Sequence, residues 1–439
     1  MLYKINMEEY FFSIIIPVYN DANFLEKCIK SVLNQKIKDV QVILVNDRST
    51  DGSEKICKKY RKKFNLNLIN NKKRLGVSIS RNNGIKLAKG KYIVFLDSDD
   101  YLLKNSLIKL KKIILNNKFP DVVLNNCKRN RIPSNFNYIL NLFGNKIKKR
   151  DQFFSILNKN KIILNECWSL VISKKLIIKN KVFFQKTKIA EDIGFIIKVF
   201  LLMRNIVVNK NALLFHLSRL GSLKHSLGVE AAYSYIVTLA ELSKLLIKYE
   251  NIYFISKYLE FRILRIIFYL GSYVTILNKR ETVELSLRIK NFVKEIKILK
   301  NTHLSRKINF NLKSKSSLDM IASHQNFVNK RVMLIFKKKF IDFTNISIFC
   351  ADMAARAVVK IFKKNKISIN SIYDEDSIFK RQKISNIPIK ILTKKKFGIN
   401  NLEKKMFIVC NFDKNTFTNI SKKLIKRGLT KNKIFHLYY

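Results

Sequence analysis

Within its first hundred residues the chain alternates short apolar runs with amphipathic ones, and this alternation restricts the fold more than any other feature. "FSIIIPVYN" (Phe12–Asn20) is apolar, β-branched and closed by Pro and Asn. "VQVILVND" (Val40–Asp47), "LNLINN" (Leu66–Asn71) and "YIVFLD" (Tyr92–Asp97) repeat the pattern. Between them, "DANFLEKCIKSVLNQ" sets Phe24, Leu25, Cys28, Ile29 and Val32 at helical spacing behind an Asp21 cap. "STDGSEKICKKYRKKF" starts a second helix, and "VSISRNNGIKLAKG" gives a third that ends at Gly90. Strands bounded by helices of this length predict βαβ units, hence an α/β fold with a mainly parallel sheet.

Ligands of such sheets bind beyond the carboxyl ends of the strands. Three strands here end in polar residues, Tyr19-Asn20, Asn46-Asp47 and Asp97-Ser98-Asp99, which the topology brings to one edge. The last of these is the most demanding. A strand followed by D-x-D puts two carboxylates on the same side of an extended backbone, about 7 Å apart at Cα. Carboxylates that close repel unless a cation or proton lies between them. Oxygen donors suit a hard cation such as Mg²⁺ or Mn²⁺, and the alternative is a solvated turn.

At 439 residues the chain is too long for one ordinary domain. From about Gly228 to Leu299 it reads mostly helical, then passes through the basic stretch "KNTHLSRKINFNLKSKSSLDM". The last hundred residues return to strand–helix alternation, with strands in "NISIFC", "ISINSIY", "IPIKIL", "MFIVCN" and "KIFHL". The expected division is therefore 10–227, 228–330 and 331–439. The 86 Lys+Arg against 31 Asp+Glu give a formal charge of +55, spread over the whole length beside abundant Asn, Ile and Phe. Such a spread argues against a dedicated nucleic-acid face and is compatible with attraction to an anionic lipid surface. Six well-separated cysteines, with no C-x-x-C pair, argue against zinc or a disulfide scaffold and for a reducing compartment. The N-terminus has no apolar core of a secretory signal, and no run reaches the roughly 18–20 apolar residues of a spanning helix. The expected location is thus cytoplasmic, or peripheral on the inner face of the cell membrane.

Together, "FSIIIPVYNDANFLEKCIKSVLNQ", "VILVNDRSTDGS" and "RLGVSISRNNGIKLAKGKYIVFLDSDDYL" resemble the family 2 glycosyltransferases with the GT-A fold, densely over residues 12–103. Arg48 departs from the pattern, standing where the family often has Gly. The resemblance implies an inverting, metal-dependent transfer from a nucleoside-diphosphate sugar, a UDP-sugar, to a glycan or lipid-linked saccharide in surface polysaccharide or lipooligosaccharide synthesis. It implies that Pro17, Tyr19 and Asn20 line the base and ribose pocket, and that Asp47 hydrogen-bonds the base. By the same resemblance Arg81 lies near the diphosphate, Asp97 contacts ribose or metal, and Asp99 ligates the metal. Asp100 is either an outer ligand or a helix cap.

Further along, "ECWSLVISKKLIIKNKVFFQKTKIAEDIGFIIKVF" resembles the acceptor-side segment of the family. An acceptor hydroxyl needs a base. By resemblance that base is Asp192, with Glu191 as its orienting neighbour or substitute; otherwise both are first-turn helix carboxylates favoured by the dipole. Trp168 is either an acceptor-stacking ring or a core residue. "LLFHLSRLGSLKHS" resembles the closing segment, making His216 a candidate third metal ligand and Arg219 a candidate for neutralising the diphosphate.

Near the C-terminus, "ISIFCADMAARAVVKIF" occupies the place of a dinucleotide-binding turn, but Cys350, Asp352 and Ala355 stand at the G-x-G-x-x-G positions. This reads as a degenerate Rossmann-like module with a structural or docking role. A sugar nucleotidyltransferase is the rival enzyme, but the Gly-rich, Lys-bearing loop it needs is missing from "PVYNDANF". A non-catalytic membrane- or nucleic-acid-binding scaffold explains the charge and leaves the acidic edge without a purpose.

Overall fold

The computed structural model describes residues 10–289 apart from 65, 130–135, 145–147 and 218–227, and beyond them the strands of 346–436 with short helical pieces. The chain forms two compact units, Met1–Arg219 with Leu245–Leu259, and Leu220–Lys244 with Glu260–Tyr439. The helical stretch expected over 228–330 thus contributes to both units.

In chain order the first unit contains β1 (Phe12–Val18), α1 (Ala22–Leu33), β2 (Val40–Asn46), α2 (Ser53–Phe64), β3 (Asn67–Asn70), α3 (Val77–Leu87) and β4 (Tyr92–Phe95). There follow β5 (Tyr101–Leu102), α4 (Ser106–Asn116), β6 (Val122–Arg129), α5 (Phe136–Phe143), β7 (Lys148–Lys149), α6 (Arg150–Asn160), β8 (Leu170–Ser173), α7 (Lys174–Lys179), α8 (Glu191–Leu202) and β9 (Asn205–His216). The sheet runs β3-β2-β1-β4-β8-β6-β9-β5, with β7 paired to β9. Its β3-β2-β1-β4 half is parallel; β8 pairs antiparallel with both β4 and β6. Every residue of β1 and β4 is buried, which explains why these strands are continuous apolar runs with little alternation.

Two glycines set how closely α3 and β4 approach the central strand. A Cβ at Gly84 would lie 2.4 Å from Ile15 Cγ2, so α3 can lie flat on β1 only with no side chain there. Arg81, less than one turn earlier, is thereby brought to the carboxyl edge of the sheet. Gly90 has a different duty from the helix stop expected of it. Helix α3 ends at Leu87, and a Cβ at Gly90 would come within 2.5 Å of the Phe12 carbonyl carbon. Asp21 does stand at the N-cap of α1, but its side chain makes no capping bond. Its carboxylate accepts instead from Ser98 Oγ at 2.5 Å, tying the β1–α1 loop to the D-S-D turn.

Helices α9 (Val229–Lys248), α10 (Tyr253–Ile276) and α11 (Lys279–Ile289) follow. Among the described residues no helix is long and apolar enough to cross a membrane. The second unit carries β10 (Ile346–Phe349), β11 (Ser371–Asp374), β12 (Lys383–Ile384), β13 (Ile387–Ile391), β14 (Met406–Val409) and β15 (Ile434–His436). Its sheet runs β12-β13-β11-β10-β14-β15 and is parallel except for β12. Leaving β12 aside, the parallel strands stand in the order 3-2-1-4-5, the doubly wound arrangement of Rossmann-like sheets. Cys350, Asp352 and Ala355 lie outside the described residues.

Candidate active site

The parallel strands end in register at one edge, where Val18 pairs with Asn46 and Asn46 with Asn70. Pro17 is buried inside β1, whereas Tyr19 is half-buried and Asn20 exposed just beyond it. Asn20 adopts φ +53° and its Oδ1 accepts from Thr50 N at 2.8 Å. Arg48 lies in the same left-handed region at φ +59°, the backbone reason a glycine suits that position. The Arg74 guanidinium lies 4.0 Å from the centre of the Tyr19 ring, a neighbour that the local pattern of the sequence did not single out.

Asp47 is buried and turned toward its own chain. Its Oδ1 accepts from Asn71 Nδ2 and Leu75 N, both at 2.8 Å, and its Oδ2 from Gly76 N at 2.7 Å. The carboxylate therefore fixes the loop that launches α3, a role the sequence alone did not suggest.

Asp97, Asp99 and Asp100 offer oxygens that all lie within 4.8 Å of one another. They differ in surroundings. Asp97 and Asp99 are half-buried and Asp100 is buried. Asp100 accepts from Leu217 N at 2.8 Å and faces His216 Nδ1 at 3.0 Å. No helix starts beside it, since the next element is β5, so its cap reading does not hold. Burial pushes the Asp100 carboxyl up to about 6, with the His216 contact opposing the rise. Such an oxygen set would suit a hard divalent cation, and Asp97 and Asp99 are its more exposed members.

His216, the candidate third metal ligand, faces the D-S-D turn through Asp100. Its Nδ1 is turned to Asp100, its ring stacks on Trp168 at 4.9 Å, and it is not part of the carboxylate group. Trp168 is 2% exposed, with His216 stacked on it and the Arg129 guanidinium 5.3 Å from its ring centre. An indole so enclosed has no face for a sugar, and of the two readings the structure supports the core one. Arg219 lies outside the described residues.

The centre of the site is Arg81, whose side chain is only 4% exposed. Its Nη2 donates to Asp97 Oδ1 at 2.8 Å, and its Nη1 donates to Glu191 Oε1 at 2.9 Å and Asp192 Oδ1 at 2.8 Å. Three of the five guanidinium N–H groups are thus taken by carboxylates, which sets Arg81 at the junction of the D-S-D turn and α8. Glu191 and Asp192 open α8, as the helix reading required, and still converge on the sheet edge. Asn82 holds them there by exchanging two 2.9 Å hydrogen bonds with the Phe184 backbone, while Phe184 stacks on Phe195 of α8 at 3.9 Å. Asp192 Oδ2 also accepts from Cys167 N at 3.1 Å. One cation among three carboxylates leaves excess negative charge. Burial and the neighbouring Asp192 push the Glu191 carboxyl up to about 7, against the pull of Arg81. Burial raises Asp192 as well, opposed by Arg81 and the Cys167 amide.

Residues 13–173 match the family described as Glycosyl transferase family 2. Residues 13–173 are a family 2 glycosyltransferase domain. The glycosyltransferase domain resembles a cholesterol galactosyltransferase of Borreliella burgdorferi, 29% identical over 51% of this chain and 64% of that one. It also resembles the minor teichoic acid biosynthesis protein GgaB of Bacillus subtilis, 50% identical over 21% of this chain and 10% of that one. In both cases the match spans less than two thirds of the relative. Among solved structures, S. aureus TarS 1–349 in complex with UDP-GlcNAc superposes with a TM-score of 0.52 at 22% identity, over 65% of this chain and 81% of that one. Longer S. aureus TarS gives 0.53 at 20% identity, over 72% of this chain and 54% of that one. The glycosyltransferase domain thus has the GT-A fold. Glu191, Asp192 and His216 lie beyond the matched residues.

Proposed function

We propose that the chain transfers a sugar from a nucleoside-diphosphate sugar, a UDP-sugar, to a hydroxyl of a glycan or lipid-linked saccharide in surface-glycan synthesis, at the inner face of the cell membrane. One observation carries this reading: a single buried guanidinium joins the carboxylate of the D-S-D turn to the pair that opens α8. Donor-side and acceptor-side chemistry are thereby held in one frame. The family, the fold shared with a UDP-GlcNAc complex, and relatives named for galactosyl transfer and teichoic acid synthesis support the donor class and the setting.

In an inverting displacement the acceptor oxygen forms a bond to the anomeric carbon. The bond from that carbon to the diphosphate oxygen breaks, and its electron pair leaves with the nucleoside diphosphate. The acceptor proton passes to a carboxylate, for which Asp192 is the residue, its orientation set by Arg81 and the Cys167 amide. Asp97 and Asp99 would hold Mn²⁺ or Mg²⁺, which supplies positive charge to the departing diphosphate. Tyr19 and Asn20 would flank the base. Asp47 and Asp100 act behind them, as positioning residues for the α3 loop and His216. A panel of nucleotide sugars with Mn²⁺, read by nucleoside diphosphate release in wild type and Asp192→Asn, tests this reading. No release from any donor would overturn it.

A further inference from the structure

We propose that the turn between α9 and α10 is a membrane-contact tip that inserts into the headgroup region of an anionic lipid bilayer. This deepens the membrane-surface part of the proposed function and does not depend on the transfer chemistry. The sequence "NIYF" (Asn251–Phe254) is exposed throughout, and three of its residues are large and apolar. Ile252 is 36% exposed, Tyr253 66% and Phe254 41%. Among the described residues no other run of three consecutive large apolar side chains is so exposed.

This exposure is built into the helix ends and does not come from fraying. Asn158 Nδ2, at the end of α6, donates to the Phe254 carbonyl at 2.6 Å. Ser256 N donates to the Ile252 carbonyl at 2.9 Å. The next residues, Ile255, Tyr258 and Leu259, are buried, with Tyr258 packed edge-on against Phe154 at 5.4 Å. The chain therefore anchors the turn through Ile255, Tyr258 and Leu259 and leaves Tyr253 and Phe254 outside, held against each other at 5.4 Å. A water-facing turn gains nothing from that distribution. Amphipathic aromatic rings at a bilayer interface do.

The charge around the tip selects the kind of surface. Lys248 and Lys257 flank it, their ammonium groups over the Tyr249 and Tyr253 rings at 5.7 and 5.9 Å. Lys159 and Lys161, on either side of the α6 end, are exposed beside Asn158. Between Lys248 and Lys257 the one carboxylate is that of Glu250, so against these four cations the rim is net positive. Apolar rings rimmed by lysines match an interface whose apolar interior begins just beneath anionic headgroups.

The test uses the full chain with vesicles of phosphatidylcholine alone, or with about one-third phosphatidylglycerol, a composition chosen to give a negative surface. Wild type is expected to co-sediment with the anionic vesicles and far less with the neutral ones. Tyr253→Ser with Phe254→Ser should weaken binding about tenfold or more, since two rings lose their burial. Lys159→Glu with Lys248→Glu should weaken it at low salt and matter much less at about 0.5 M salt, where surface charges are screened. Tyr253→Trp supplies a reporter against buried Trp168; its emission should shift to the blue and be quenched by brominated acyl chains. Turnover of a soluble donor should stay unchanged in the serine pair. Strong vesicle binding that both pairs retain would overturn the tip while leaving a membrane role elsewhere. No binding by wild type would overturn both, with glycosyl transfer untouched. Self-association lost in the serine pair, without vesicles, would instead assign the tip to a second copy of the chain and overturn the proposal.

Discussion

Replacing Glu191 by Gln should stabilise the glycosyltransferase domain at alkaline pH, although it removes one member of a buried ion cluster. Glu191 and Asp192 share Arg81 Nη1, and Arg81 Nη2 is taken by Asp97. Burial, then the charge of Asp192, raises the Glu191 carboxyl from 4.5 to about 7. A raised acid holds its proton more tightly in the folded state than in the unfolded one. Wild-type stability should therefore fall as pH rises from about 4.5 to about 7, and level off above that. At ~1.4 kcal/mol per pH unit, and allowing for the charge being shared across the pair, the loss is about 2–3 kcal/mol. A glutamine keeps an oxygen for Arg81 Nη1 and abolishes the titration. The variant should equal wild type near pH 4.5 and exceed it by about 2 kcal/mol at about pH 8. Urea unfolding read by Trp168, the only tryptophan and 2% exposed within this unit, measures the difference directly. If Glu191→Gln loses the same stability at both pH values, the carboxylate is a net support and the crowded-cluster account fails.

Two further substitutions probe the same edge. Arg81→Lys keeps the charge but replaces a fork by a single point, which cannot span three carboxylates; we expect about 2 kcal/mol lower stability and at least about tenfold slower turnover, read by the same unfolding curve and by nucleoside diphosphate release. Arg48→Gly relieves a left-handed backbone at φ +59° and should raise the unfolding free energy, read from the same urea curve, by about 1 kcal/mol, with turnover unchanged.

Much of the domain was legible in the sequence because its signals are local. The apolar runs ending at Tyr19, Asp47 and Asp97 mark strands, and their polar ends do meet along the parallel part of one sheet. Glu191-Asp192 before "IGFIIKVF" marks a helix start, and α8 begins there. What was not legible depends on partners far along the chain. Arg81 finds Glu191 and Asp192 at separations of 110 and 111 residues, and no spacing rule forecasts that they share its Nη1. His216 and Asp100, 116 residues apart, present the same difficulty. Trp168 could equally have faced substrate or core, because a lone aromatic has no periodicity to betray its direction. Asp21 and Gly90 misled for another reason. Each fits a familiar helix-end rule, yet Asp21 serves Ser98, and Gly90 makes room for β1.

The most direct measurement compares Asp192→Asn with wild type for donor binding and for transfer in the presence of Mn²⁺. Asparagine keeps an oxygen toward Arg81 but cannot take the acceptor proton. The account predicts donor affinity within about threefold of wild type and transfer slower by about 10²–10⁴-fold. Transfer at the wild-type rate would contradict it and remove the α8 carboxylate from the chemistry.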